Sequence, residues 1–258
     1  MSKPLILVTN DDGITSPGIR NLIEAASELG TPFVVAPDSP QSGQGHAITI
    51  TKPLRLREVD IFPGITAYEC SGTPADCVKL AKSVLLSEND IDLCVSGINH
   101  GSNASINIIY SGTMSAAMEA SIDGIKSIGF SLDDFSYKAD MQASKHYAKK
   151  IMQSFLNDKN SSSSLLNVNI PKLPLEQIKG IKVCKQGKGN WSEKYLENKT
   201  PKGQPYYWLD GDFKVENEET DSDLWALKNG FVSIVPSMHD LTHYKVIEEI
   251  KHLENIKA

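Results

Sequence analysis

The residues best suited to chemistry come early, where Asn10-Asp11-Asp12-Gly13 follows directly on the apolar run Leu5-Ile6-Leu7-Val8. Two acids at the end of a buried strand can hold a hard cation, because open α/β sheets place ligands outside the carboxyl ends of their strands and Mg²⁺ and Mn²⁺ take oxygen ligands. Adjacent side chains of a regular strand point to opposite faces, so the acids share a cation only where the chain leaves extended geometry. Gly13 allows that bend at little steric cost. The same residue types also make an Asx turn that caps a following helix, and on this motif alone both readings stand.

Three further polar loops follow apolar runs. The first, Ala36 to His46, is dense in turn residues, and its Ser42 offers a neutral oxygen ligand. The second, Gly97 to Asn103, brings the Asn99 carbonyl oxygen and an amide donor from Asn103. The third, Tyr110-Ser111-Gly112-Thr113, opens an Ala- and Met-rich helix, and a helix N-terminus with small residues receives an anion through its backbone N–H groups and dipole. Any one of these loops is compatible with ordinary turn or cap chemistry; their shared position on strand ends points to one site.

The elements that must carry these loops alternate. Strands are predicted at Leu5-Val8, Pro32-Ala36, Thr66-Ser71, Asp92-Ile98 and Ser127-Ser131, with a further extended stretch from Ala47 to Leu56. Helices are predicted from Ser16-Pro17-Gly18 to about Leu29, over Pro74 to Leu86, Thr113 to Ile122 and Met141 to Leu156. This order predicts an α/β fold, a Rossmann-like three-layer sandwich with a mostly parallel sheet. Residues 1–258 read as a single domain, with 1–135 the catalytic core and 136–258 C-terminal helices and oligomerisation arms. Asn160 to Ser164 reads as an exposed connection, strands follow near Leu166-Ile170, Ile181-Cys184 and Tyr206-Leu209, and the chain ends in an Asp240 to Ile256 helix.

A formal net charge of -6 gives no overall positive field for nucleic acid, so an anionic ligand needs local help such as a metal. No apolar stretch is long enough to cross a bilayer. Cys70, Cys77, Cys94 and Cys184 form no C-x-x-C pair, which together with the missing secretory signature sets the expected compartment as a reducing cytoplasm.

With these loops in place, the chain resembles the SurE survival-protein nucleotidases. The resemblance rests on Ile6 to Gly13, on Val35-Ala36-Pro37 with Gln41-Ser42-Gly43, on Ser71-Gly72-Thr73-Pro74-Ala75-Asp76-Cys77-Val78, and on Val95 to Asn103 continuing into Tyr110-Ser111-Gly112-Thr113. Val232 to Pro236 and Asp240-Leu241-Thr242 are similar to the family's C-terminal pattern. The resemblance implies a metal-dependent 5′-nucleotidase that hydrolyses nucleoside 5′-monophosphates, with 3′-monophosphates and short polyphosphate as further substrates. It implies one divalent ion per subunit, Mg²⁺ or Mn²⁺, held by Asp11, Asp12, Ser42 and Asn99, with Asn103, Ser111, Gly112 and Thr113 at the phosphate and catalysis by Asp11 and Asp12. It also implies a homodimer or homotetramer with exchanged C-terminal elements; the charge balance and the short apolar runs leave neither nucleic acid nor membrane as an expected partner. Met114 stands where the family often has Val, and Ser237-Met238-His239 interrupts a segment that is usually more apolar. The alternative is a non-catalytic metal- and nucleotide-binding module on the same sheet.

Competing motifs fit worse. In a haloacid-dehalogenase frame Asn10 occupies the nucleophile's place and cannot form a phospho-aspartyl intermediate. No P-loop or complete dinucleotide fingerprint occurs. His239 and His243 have helical spacing but lack the glutamate base of a zinc protease motif.

Overall fold

Period-two alternation divides strand β1 (Leu5–Thr9) between two cores. Ile6 and Val8 pack into a cluster with Ile19 and Leu22 of helix α1 (Pro17–Ser27) and with Ile151 and Met152 of helix α4 (Gln142–Asn157). Leu7 faces the other way, onto Val78 of helix α2 (Pro74–Leu80) and Ala116 and Ala120 of helix α3 (Gly112–Ile122). Each such fully buried aliphatic side chain contributes roughly 1.5–3 kcal/mol. Helices therefore cover both faces of the sheet, and the architecture is the three-layer α/β sandwich expected from the alternating elements.

The computed structural model describes residues 3–86, 91–159, 164–216 and 219–256. The remaining strands of its main sheet are β2 (Thr31–Pro37), β3 (Leu56–Glu58), β4 (Thr66–Cys70), β5 (Leu93–His100), β6 (Ser127–Leu132), β7 (Leu165–Ile170), β8 (Ile181–Val183) and β11 (Val232–Ser237). Among the described residues their order is β3-β4-β2-β1-β5-β6-β7-β11-β8. The run from β4 to β7 is parallel, whereas β3 pairs antiparallel with β4 and β11 antiparallel with β7. From β1 the chain passes to β2 on one side, and it later returns to β5 on the other. That reversal makes the carboxyl ends of β1 and β5 the sheet's switch point, the place where such sheets bind ligands.

Strands β9 (Gly189–Lys199) and β10 (Pro205–Val215) form a separate antiparallel hairpin, an arm apart from the main sheet. Between it and β11 lies the short helix α5 (Asp223–Lys228).

Three expectations need correction. Of the stretch from Ala47 to Leu56 only Leu56 joins a strand; the rest is irregular and is held by side chains, with Thr49 N–H donating to Asp76 Oδ1 at 3.0 Å and the Thr73 hydroxyl donating to the Ala47 carbonyl at 2.7 Å. Pro53 also denies it a ladder donor. The helix expected from Pro74 to Leu86 relaxes into a π turn from Ala81 to Leu85. The Asp240–Ile256 helix is broken into the 3-10 turns Tyr244–Val246 and Lys251–Asn255 around a single α turn, α6 (Ile247–Ile250), none of which buries a residue. With no apolar face packed on the body, propensity alone does not sustain a long helix. Asn160 to Ser163 of the expected connection lie outside the described residues.

Candidate functional site

The turn after β1 is shaped by Asn10 rather than by the acids. Its side-chain amide donates to the Gly13 carbonyl at 2.9 Å and to Ser16 Oγ at 2.8 Å, and Ser16 in turn caps α1. Gly13 has φ of +92°, which gives the break from extended geometry that the paired acids require. The acids then separate. Asp11 lines the cavity at the strand ends, whereas Asp12 Oδ2 accepts from the His100 backbone N–H at 3.3 Å and lies 3.0 Å from His100 Nδ1.

Asp11, Ser42, Asn99, Asn103 and Ser111 line one cavity of about 360 Å³. The Ser42 loop is tied to the acidic turn by Gln41 N–H donating to the Asp11 carbonyl at 2.7 Å and by Ile14 N–H donating to the Pro37 carbonyl at 2.9 Å. Its far side is moored to α3, where His46 Nε2 lies 2.9 Å from Glu119 Oε2. A shift of register between Ser96 and Asn99 breaks the β5–β6 ladder just before Asn99. The Asn99 amide donates to the Gly101 carbonyl at 2.8 Å, which leaves its side-chain oxygen for a ligand. Asn103 is fixed more heavily, its side-chain amide donating to Ser131 Oγ at 2.8 Å and its backbone N–H to Asn169 Oδ1 at 2.8 Å.

Gly112 and Thr113 stand behind the cavity wall. A Cβ at Gly112 would meet Asp11 Cβ at 2.7 Å, so only glycine lets the acid lie against the start of α3. The Thr113 hydroxyl donates to Asp11 Oδ1. Burial nevertheless holds the Asp11 carboxyl up at about 6, the Thr113 hydrogen bond lowering it and the charge of Asp12 raising it. Ser111 is the N-cap of α3 and accepts from Met114 N–H at 3.0 Å; since capping uses a lone pair, its own proton is left for another partner. Met114 fits because Gly129 faces it, where a Cβ would come within 2.3 Å of its sulfur.

Sequence reasoning missed Trp191, Asn107 and Phe135 on the cavity wall and the Glu119 mooring. Trp191 comes from the arm, 84 residues from the Asn107 it bonds, and no local pattern encodes that return. His239 and His243 share no helix, and among the described residues no group of three or more His, Cys, Asp or Glu stands together as at a zinc centre.

With this geometry in hand, comparison with known proteins is specific. The family described as Survival protein SurE matches residues 6–193. A Flavobacterium psychrophilum protein named 5′-nucleotidase SurE is 54% identical over 253 residues, 98% of each chain. An Aquifex aeolicus protein of the same name is 44% identical over 98% of this chain and 99% of its own. Among solved structures, the crystal structure of SurE protein from Aquifex aeolicus superposes with a TM-score of 0.84 at 44% identity, covering 98% of this chain and 100% of that one.

Proposed function

The chain belongs to the SurE family, and from that premise we propose that it is a metal-dependent 5′-nucleotidase, splitting nucleoside 5′-monophosphates into nucleoside and phosphate. The observation that carries the reading is the cavity itself. Its described lining holds carboxylate, amide and hydroxyl groups but no lysine or arginine. A phosphate dianion brought against Asp11 therefore meets like charge unless a cation stands between them.

The residues present fit such a cation. Asp11, Asp12, Ser42 and Asn99 supply two carboxylates and two neutral oxygens, a donor set for one hard divalent ion per subunit, Mg²⁺ or Mn²⁺. Burial that holds Asp11 at about 6 marks a carboxylate short of positive charge. Among the described residues, four of the six buried polar side-chain atoms without a hydrogen-bond partner, Thr9 Oγ1, Asn10 Oδ1, Ser96 Oγ and His100 Nε2, belong to β1, β5 and the turn after β1, the other two being Ser144 Oγ and Ser233 Oγ. When bound, the ion supplies the charge that neutralises phosphoryl oxygens and lowers the pKa of a water ligand.

The chain's own groups do the rest. Ser111 donates its free proton to a phosphate oxygen and Asn103 supplies an amide where charge grows in the transition state, with Gly112 behind them at the start of α3. Thr113 belongs to the phosphate end but acts through Asp11, whose carboxylate it orients. Asp11 and Asp12 divide cation binding and acceptance of the attacking water's proton between them, Asp12 being fixed by His100; as the water oxygen bonds to phosphorus the P–O5′ bond breaks, and a proton passes to the departing 5′-oxygen to give the nucleoside.

Phosphate release from AMP, GMP, CMP and UMP, with Mg²⁺, Mn²⁺ or a chelator, tests the proposal. Turnover that needs the metal is the expected result, and 3′-monophosphates and short polyphosphate added to the panel set its range. Metal-independent background on every substrate would leave only the binding module.

We assign residues 1–135 to the catalytic core and the arm to assembly of a homodimer or homotetramer. Tyr207, Trp208 and Leu209 stand about 60% exposed on the arm, at 58%, 64% and 63%, which suits cover by a second copy. Among the described residues no helix is long and apolar enough to cross a membrane. Four free, buried cysteines fit a cytoplasmic assignment.

A further inference from the structure

The phosphate-end cavity does not end at the phosphate. A second cavity of about 460 Å³ adjoins it, and the two share Gly43, Tyr110 and Trp191 in their walls. At Gly43 a Cβ would touch nothing within 4 Å, so the neck between the cavities is open on that side. Beyond the neck the second cavity is mostly apolar and is bounded by Glu193, Leu209, Asp210 and Gly211 of the arm.

Trp191 is the informative residue. It lies near the root of the arm, 42% exposed, yet its ring is fixed. The indole Nε1 donates to Asn107 Oδ1 at 2.8 Å, and Phe213 packs edge-on at 5.4 Å and 71°. With its one donor engaged, the indole has only its aromatic surface to offer. Tyr110, half-exposed, immediately precedes the phosphate-contacting Ser111, so an aromatic wall begins one residue from the phosphate. Two positions beyond Trp191, Glu193 falls on the same face of β9 and brings a carboxylate to this wall.

A second phosphate is a poor occupant of a cavity with apolar walls and two carboxylates, Glu193 and Asp210. A flat heteroaromatic ring with N–H donors on its edge is a good one, because base–aromatic stacking needs only a π-face and a carboxylate accepts from N–H groups. We propose that this second cavity seats the nucleobase of the substrate, stacked on the Trp191 indole beside Tyr110, with Glu193 accepting from the base's N–H donors. The assignment deepens the nucleotidase reading and rests on it for the position of the phosphate. The arm thus serves two ends, its outer part assembly and its root the choice of substrate.

The test pairs AMP with ribose 5-phosphate, which keeps the phosphate and sugar but lacks the base. On the intact protein with Mn²⁺, Trp191→Ala is expected to weaken AMP binding by calorimetry, and to raise KM for AMP, about 10- to 100-fold. kcat should change far less, and kcat/KM for ribose 5-phosphate should stay within about twofold of the parent. Trp191→Phe, which keeps a stacking face, should recover most of the AMP affinity. Tyr110→Leu changes the wall from the body rather than the arm, and should show the same selective loss for AMP, to a smaller degree.

Equal losses for AMP and ribose 5-phosphate in Trp191→Ala would overturn the base seat in favour of a structural role for the indole. No loss for either would overturn it as well. The two readings fail separately: a parent that turns over AMP but shows no dependence on Trp191 refutes only the seat. A parent that binds AMP through Trp191 and releases no phosphate upholds the seat and refutes the enzyme.

Discussion

At the carboxyl ends of β1 and β5 polar side chains are buried and engaged, with Asp11 only 3% and Ser111 only 5% exposed, whereas along β10 the aromatics Tyr207 and Trp208 are left in water. Each region inverts the ordinary partition of polar outside and apolar inside. The inversions differ in what they need to be stable. Buried acids and amides need counter-charge and hydrogen-bond partners, which their neighbours supply in part and which, in the proposed function, a cation completes. Exposed aromatics need only to be covered. In the proposed function the first region is a chemical site that the fold itself constructs, and the second a surface that a further molecule finishes.

The contrast breaks most sharply at the acids. Asp11→Asn and Asp12→Asn are each expected to lose nearly all metal-dependent turnover while the fold persists, since charge is removed and core volume is kept. Asp11→Asn carries a thermodynamic signature as well. Its carboxyl titrates near 3.8 unfolded and about 6 folded, so between those values a rising pH takes a proton from the unfolded state before the native one, and stability falls. In a chelating buffer at pH 8 the variant should therefore be more stable than the parent by roughly 3 kcal/mol, with the gap closing toward pH 4. Thermal melts across that range read the difference, and a parent as stable as the variant at pH 8 would mean that the charge of Asp11 is already satisfied by the protein.

Ser111→Ala comes next. Losing one donor aimed at developing charge lowers turnover on the order of 100-fold, and the lost N-cap of α3 removes about 1 kcal/mol of stability. Metal affinity should hardly change. Calorimetric titration with Mn²⁺ beside steady-state kinetics separates the two effects; an unchanged kcat would confine Ser111 to its cap.

The arm responds in a different quantity. Trp208→Ser with Tyr207→Ser is expected to weaken self-association about tenfold or more, because buried aromatics dominate such interfaces. Light scattering over a concentration series reads it. A parent that is monomeric at micromolar concentration would remove the assembly role and leave the strand-end site untouched.

The two regions were also unequally legible in the sequence. The site's frame could be read because its signals are local. The apolar run before Asn10-Asp11-Asp12-Gly13 ends with β1, the run before Gly97-Ile98-Asn99 stops just short of the end of β5 at His100, and Pro17 and Pro74 mark helix starts. What the side chains do there could not be read, since it depends on partners far along the chain. Thr113 orients Asp11 from 102 positions away, His100 fixes Asp12 from 88, and the arm brings Trp191 back onto Asn107. At the C-terminus the helical spacing of Asp240 to Ile256 misled for the opposite reason: a pattern without a surface to pack on does not hold a helix.

The smallest effect on catalysis belongs to the mooring that joins the Ser42 loop to α3. Glu119 is buried and reached by His46 at 2.9 Å and Lys79 at 2.7 Å, with Lys82 3.7 Å away. Burial by itself would raise its carboxyl, but hydrogen bonds from His46 and Lys79 and the charges of both lysines outweigh burial and hold it down at about 2. A depressed carboxyl stabilises the fold above its unfolded value of 4.5, and that contribution is lost as pH falls from there through about 2. Glu119→Gln should therefore cost roughly 2 kcal/mol at pH 7, a deficit that shrinks once the pH drops below 4.5. Since no atom of Glu119 lines the cavity, activity at saturating metal should stay near the parent's, while the Mn²⁺ concentration for half-maximal rate rises a few-fold because Ser42 is less firmly placed. A melting difference that stayed constant from pH 7 to pH 3 would show that the glutamate's charge is not what holds the loop, and an unchanged Mn²⁺ requirement would detach the mooring from the metal-binding loop altogether.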